Sequence, residues 1–171
     1  MNESESKQQT ILVATDGSTS SQDAVRFAVE LASEHASEVH FVHVVPTIDL
    51  DPAIGLSELG VALPHEPTKR DFALLEEAEE LARERRVAAT TALLGGATAA
   101  EIVAYADSRE VDVIVVGSHG HGAISGALLG SVSLGGLRTS KRPVLIVHGA
   151  IPFHRAETAR TPPADSTSQR T

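Results

Sequence analysis

The chain has 171 residues, 42% of them hydrophobic and 22% charged, enough to bury one sizeable core but not to build a second full domain. It contains no cysteine, which excludes disulfides, thiolate catalysis and cysteine metal sites and fits a reducing compartment. A formal charge of −9 and an aromatic content of 3% argue against nucleic acid as a partner, because phosphate neutralisation and base stacking both lack their usual residues.

Residues 1–9 are polar, with no signal-peptide core, and disorder is expected there. No apolar run approaches the ~20 residues that span a bilayer, so a cytoplasmic protein without a membrane partner is expected. Ile11–Ala14 predicts a short buried strand. The following segment, T-D-G-S-T-S-S-Q-D, supplies a turn, with Ser20 as the expected helix N-cap and Asp23 as its box-like partner. The first helix should bury a stripe of Ala24, Phe27, Ala28, Leu31 and Ala32, at spacings of three and four. Val39–Val45 predicts a second strand, ended by Pro46.

From Pro46 to Thr68 there is no sustained periodicity, which reads as a long loop or loosely packed insertion. Asp71–Arg86 predicts a charged helix with Phe72, Leu75, Ala78 and Ala82 inward and a solvated outer face. Val87–Leu93 reads as the third strand, Gly95 and Gly96 as a turn, and a helix from Thr98 or a neighbour through Asp107 follows. Val111–Val116 is a β-branched run leading straight into Gly117. Past the glycines, Ser131–Ser140 predicts a helix, although Gly135 and Gly136 inside it cost about 1 kcal/mol each relative to alanine. Val144–His148, introduced by Pro143, predicts the last strand. The polar, proline-containing residues 150–171 are expected to be disordered, and Gly149 at their edge to accept a side chain without consequence for binding.

Apolar runs alternating with amphipathic stretches predict β-α-β units and a five-stranded, doubly wound parallel sheet in the order 3-2-1-4-5. In such a sheet ligands sit where the winding reverses, beyond the C-terminal ends of the first and fourth strands. Asp16 and Gly117 therefore converge on one crevice. Gly117, Gly120 and Gly130, followed by Ser131 and Ser133, give the spacing G-x2-G-x9-G-S. The glycines are expected to take positive φ and approach a ligand closely, while the hydroxyls sit at a helix start. No G-x4-G-K-[ST] occurs, nor a G-x-G-x-x-G after the first strand. An acid beside such a loop suits a nucleotide, with Asp16 accepting from ribose hydroxyls. By spacing alone, the loop also reads as a flexible surface segment and Asp16 as a turn initiator.

The G-x2-G-x9-G-S loop, the opening I-L-V-A-T-D-G-S, the strand F-V-H-V-V and the runs V-D-V-I-V-V-G-S-H-G and R-P-V-L-I-V together resemble the universal stress protein family across Thr10–Gly149. The resemblance implies one domain over residues 10–149, with an adenine nucleotide alpha hydrolase-like fold. It further implies ATP binding, a homodimer and a regulatory role in stress or energy status. It places nucleotide contacts at Thr15, Asp16, Val44, Gly117, Gly120, Gly130, Ser131, Val132 and Ser133.

Between Gly117 and Ser133 there is no lysine, arginine, aspartate or glutamate. Phosphate charge would then be met by backbone dipoles, by His119 or His121, or by a Mg²⁺ or Mn²⁺ ion carried with the nucleotide. His119 and His121 are read as solvated loop histidines rather than a metal pair, for want of further ligands. His40 and His43 fall on opposite faces of the second strand and are read as polar edge or surface groups. Efficient phosphoryl transfer needs a cation at the γ-phosphate and a group orienting the nucleophile, and the loop offers neither. At most weak ATP hydrolysis is expected. A slow ATPase, a nucleotidyl-transfer enzyme and an interaction module without ligand are the alternatives. The apolar run Val144, Leu145, Ile146 and Val147 would be an exposed edge, to be covered by a second copy or by the C-terminal tail.

Overall fold

The computed structural model describes residues 8–45, 47–48, 63–64, 66–119 and 137–149. Thr10–Ala14 (β1) leads through a tight turn into Thr19–His35 (α1) and then Glu38–Val45 (β2). Thr47–Ile48 (β3) and Leu63–Pro64 (β4) form a two-residue antiparallel ladder at the two ends of the segment expected to be a loop. Lys69–Glu84 (α2), Ala89–Gly95 (β5), Thr98–Ser108 (α3) and Val113–Gly117 (β6) follow, and a 3-10 turn at Leu137–Thr139 precedes Val144–Val147 (β7).

All pairs in the main sheet are parallel, in the order β5-β2-β1-β6-β7. Counting only its five strands, that is the expected 3-2-1-4-5. β2, β1 and β6 lie in the interior of the sheet and are largely apolar, as buried parallel strands are, apart from His40 and His43 of β2. Odd-numbered residues of β1 and β2 (Ile11, Val13, Val39, Phe41) pack under α1 and α2, and even-numbered ones (Leu12, Val42, Val44) pack towards α3 and Leu137. Phe41 and Leu12 are fully buried, and truncating either to alanine would cost about 2–5 kcal/mol.

Several boundaries differ from expectation for local reasons. The cap of α1 is Ser18, not Ser20: Gly17 turns the chain at φ +78°, so the helix starts at Thr19, and Ser18 Oγ accepts from Ser21 N–H at 3.2 Å. In α1, Ala24, Ala28 and Ala32 are buried as expected and Phe27 and Leu31 are packed against the core, but Val25 and Val29 are buried as well. α2 starts two residues early because the Asp71 carboxylate folds back onto Thr68, accepting from its N–H at 2.6 Å and its hydroxyl at 2.7 Å. That inward turn of Asp71 sets the helix rotation, so Leu75, Ala78 and Ala82 are buried while Phe72 is 50% exposed.

Val87 and Val111 are helix exits rather than strand starts. Each follows a residue at positive φ, Arg86 (57°) and Glu110 (52°), and donates its N–H back to the helix, to Ala82 and Ala106 respectively. The third strand therefore begins at Ala89 and the fourth at Val113. The last strand ends at Val147, one residue early, and Gly149 holds φ +70°. A β-branched residue at Gly149 would be strained in the backbone, although nothing lies within 4 Å of a Cβ there. The Ser131–Ser140 helix and its Gly135–Gly136 pair lie outside the described residues except for the 3-10 turn and Ser140, as do residues 1–7 and 150–171.

Candidate functional site

Where β1 ends, the chain runs Thr15-Asp16-Gly17-Ser18 over the C-terminal edge of the sheet. Thr15 N–H still bonds Val42 O at 2.9 Å, extending the β1–β2 ladder by one residue. Asp16 then accepts Ser18 N–H on Oδ1 at 2.9 Å, an Asx turn. Ser21 Oγ accepts from Asp16 N–H at 3.3 Å, donates to Ser18 O at 3.0 Å and lies 3.2 Å from Thr15 Oγ1. Gly17 holds φ +78°, which favours glycine, and a Cβ there would displace the tip of the Leu74 side chain, 2.5 Å away at Cδ2.

The exit of β6 is stitched to this turn. Ser18 Oγ donates to His119 O at 3.2 Å, Ser20 Oγ accepts His119 N–H at 3.2 Å, and Ser20 Oγ lies 3.3 Å from Ser118 Oγ. Ser118 N–H continues the β6–β7 ladder to Val147 O at 2.9 Å, and its hydroxyl meets His119 Nδ1 at 2.9 Å. Residues about a hundred positions apart thus form one polar surface at the point where strand order reverses. Gly117 enables this by closeness rather than by the expected positive φ. It is not among the positive-φ glycines, but a Cβ there would sit 2.5 Å from Ser20 C and 2.6 Å from Ser20 O.

Of the residues singled out in the sequence, Thr15 is buried at this junction, Asp16 is half-buried in the turn and Gly117 closes β6. Val44 is buried near the end of β2 on the α3 side, opposite Leu94 of β5. Gly120, Gly130, Ser131, Val132, Ser133 and His121 lie outside the described residues. Among the described residues no group of three or more His, Asp or Glu is gathered as a metal site.

The two β2 histidines do face opposite sides, but they are neither edge nor surface groups. β2 is an interior strand and each histidine is 7% exposed. His40, on the α3 side, bonds Glu38 through Nε2 and lies 3.3 Å from the Tyr105 hydroxyl through Nδ1. Burial pushes Tyr105 above its usual 10.0, so that hydroxyl stays a donor. His43, on the α2 side, meets Thr15 O at 2.7 Å through Nδ1 and Asp71 Oδ1 at 3.0 Å through Nε2. The Thr68 amide and hydroxyl, and then His43, hold the Asp71 carboxyl below its ordinary 3.8 against the opposing effect of burial.

A separate cleft of about 250 Å³ opens between α1 and α2, lined by Thr15, Gly17, Val25, Arg26, Leu74 and Glu77 among others. It shares Thr15 and Gly17 with the junction but lies on the α1/α2 face, not beside the β6 exit. Sequence reasoning missed Ser18, Ser20, Ser118 and His43. The five hydroxyls of T-D-G-S-T-S-S were the available signal for the first two, whereas His43 gave none, because its partners are 28 residues away on either side.

A sequence model described as the universal stress protein family matches residues 8–148. Among curated proteins, the chain is 38% identical over 143 residues to a universal stress protein of Bacillus subtilis, covering 80% of this chain and 97% of that one. It is 34% identical over 139 residues to one of Methanocaldococcus jannaschii, covering 80% of each. Among solved structures, it resembles a universal stress protein in complex with cAMP (30% identity, TM-score 0.62, 84% of this chain and 98% of that one). It also resembles a family member from Burkholderia pseudomallei (26% identity, TM-score 0.61, 83% and 97%).

Proposed function

The chain belongs to the universal stress protein family, and we propose that this member is an ATP-binding, dimeric regulator. The observation that carries the reading is the junction of the β1–α1 turn with the β6 exit, held by Ser18 and Ser20 against Ser118 and His119. It gathers a carboxylate and hydroxyls at the crossover of a parallel sheet, the position and chemistry that suit a ribose. A carboxylate has about four acceptor sites, so the Asx-turn bond of Asp16 is compatible with ribose contacts. The glycine loop from Gly120 through Gly130 to Ser131, Val132 and Ser133 takes the phosphates, and backbone near Val44 faces adenine. Mg²⁺ or Mn²⁺, bound with the nucleotide, supplies the positive charge that the loop lacks. The cAMP complex of a 30%-identical relative supports an adenine nucleotide as the ligand class.

The test is calorimetry with ATP and Mg²⁺ on the full chain and on Gly130→Val. Loss of binding in a folded Gly130→Val supports the reading; equal affinity in variant and parent contradicts it. No binding of ATP, ADP, AMP or cAMP by the parent would leave an interaction module. For the dimer, β7 is an end strand of the sheet and Leu145 on it is 37% exposed. Leu145→Lys should convert a dimeric mass, measured by light scattering, into a monomeric one. A monomeric parent contradicts the dimer.

A further inference from the structure

The two buried histidines of β2 differ in the sign of their partners. His40 stands between one acceptor, the Glu38 carboxylate, and the Tyr105 hydroxyl, which can donate or accept. A neutral imidazole with one N–H and one lone pair satisfies both. His43 stands between two acceptors. Thr15 O is a carbonyl and can only accept, and Asp71 Oδ1 belongs to a carboxylate whose other oxygen already takes the Thr68 amide and hydroxyl. A neutral imidazole leaves one of these contacts as lone pair against lone pair; an imidazolium satisfies both.

We infer that His43 is a positioning residue for the nucleotide site: donating from both ring nitrogens, it ties the Thr15 carbonyl to the start of α2 and makes ligand affinity depend on its second proton. The inference rests on the ATP reading above and adds to it a residue that touches no ligand. Thr15 precedes Asp16, and its hydroxyl, 3.3 Å from Gly17 N–H and 3.2 Å from Ser21 Oγ, belongs to the network that holds the turn. When His43 loses a proton, the Thr15 carbonyl or the α2 start loses its tie, and the turn loses a fixed edge. Among the described residues, few charges surround His43. On α2 they are Asp71 and, in the cleft that Thr15 lines, Glu77; on α1 they are Arg26, in that same cleft and paired at 2.7 Å with Asp23; after β1 there is Asp16. β5 contributes apolar Leu93 at the register position of His43.

Asp71→Asn tests the inference, because its carboxamide has a fixed orientation. The oxygen must accept the Thr68 amide, so the NH₂ faces His43 Nε2, and only the neutral ring, with Nδ1–H still on Thr15, then fits. The geometry is kept and the proton requirement is inverted. Calorimetry with MgATP from about pH 5.5 to 8.5, read as the ratio of parent to variant Kd, cancels the titration of the nucleotide phosphates. The ratio should rise about tenfold with pH, the weight of a hydrogen bond to a charged group. His43→Asn, which keeps a donor near the Nδ1 position, should show no such dependence relative to the nucleotide's own titration, and serves if Asp71→Asn does not fold.

The ligand-free arm is ¹⁵N NMR of the His43 ring. The parent should hold both ring nitrogens protonated at a pH at which Asp71→Asn shows a neutral Nδ1–H ring. A flat Kd ratio, or a neutral His43 ring in the parent at that pH, overturns the inference while leaving nucleotide binding intact. Failure of the parent to bind any adenine nucleotide overturns the functional reading and, with it, the claim on the site.

Discussion

At the end of the sheet where strands finish, the residues with positive φ are glycines: Gly17 after β1, Gly96 after β5 and Gly149 after β7. At the opposite end, where helices finish, they are Ala36, Arg86 and Glu110. Both ends use positive-φ turns, and only the helix-exit end carries side chains at them. A Cβ on Gly17 would meet the tip of the Leu74 side chain at 2.5 Å and one on Gly96 the Glu101 Oε1 at 2.7 Å, while backbone lies tight against backbone at this strand-exit end at Gly117, where a Cβ would sit 2.5 Å from Ser20 C. The helix-exit end is also tied across distant segments, by Thr10 N–H to the Asp112 carboxylate at 2.8 Å and Glu38 N–H to Gln9 O at 2.9 Å. One end gathers side-chain hydroxyls at the crossover, and the other is joined by backbone pairings and the Asp112 carboxylate.

The contrast is broken most severely by Gly117→Val. Its side chain would press on the Ser20 backbone from 2.5 Å, and overpacking of this kind costs about 1–3 kcal/mol or more. Urea unfolding should show that loss, and calorimetry should show ATP affinity gone with it. Gly95→Ala, with nothing within 4 Å of the new Cβ, is the matched control and should shift stability by no more than about 0.5 kcal/mol.

Paired acids at the two ends sharpen the comparison. Asp16→Asn should weaken ATP binding about tenfold, the weight of a charge-assisted hydrogen bond. Asp112→Asn, which alters the Thr10 contact at the other end, should lower stability by about 1 kcal/mol and leave affinity unchanged.

Ser18→Ala removes both the α1 cap and the hydroxyl that reaches His119 O. It should cost about 1 kcal/mol in thermal or urea unfolding.

The Asp71 capping box predicts a loss confined to acid. Its folded pKa lies below 3.8, so the carboxylate contributes stability at every pH above its unfolded value and loses it as pH falls through the folded one. Melting temperatures of parent and Asp71→Asn should converge below about pH 3.8.

Smallest is Ala36→Gly at the helix-exit end. Relieving a left-handed alanine at φ 51° outweighs glycine's extra unfolded-state entropy by about 0.5 kcal/mol, a gain in melting temperature without change in affinity.

Much of this architecture was legible in the chain. Apolar runs such as Ile11–Ala14 and Val39–Val45 and the stripe through Ala24, Ala28 and Ala32 set the strand order and one helix face, because burial on a fixed period leaves a local mark. Contacts that depend on tertiary rotation left none. Phe72 read as inward and is exposed because Asp71 takes the inward position to reach His43, a demand invisible in the helix's own periodicity. Val87 and Val111 read as strand because they are apolar and β-branched, yet they bond back to the preceding helices. At the site, the meeting of Asp16 with Gly117 followed from topology. The reason for Gly117, the Ser20 backbone against it, did not, since spacing reports that glycine is needed but not what approaches it.

The central claim is that the strand-exit end, and not the helix-exit end or the α1/α2 cleft, is the nucleotide site. Amide hydrogen exchange of the full chain with and without MgATP tests it most directly. The account predicts protection concentrated at residues 15–18 and 117–119 and unchanged exchange at residues 36–38 and 110–112. Protection confined to residues 22–26 and 74–81 along the cleft, or no protection at saturating nucleotide, would contradict it.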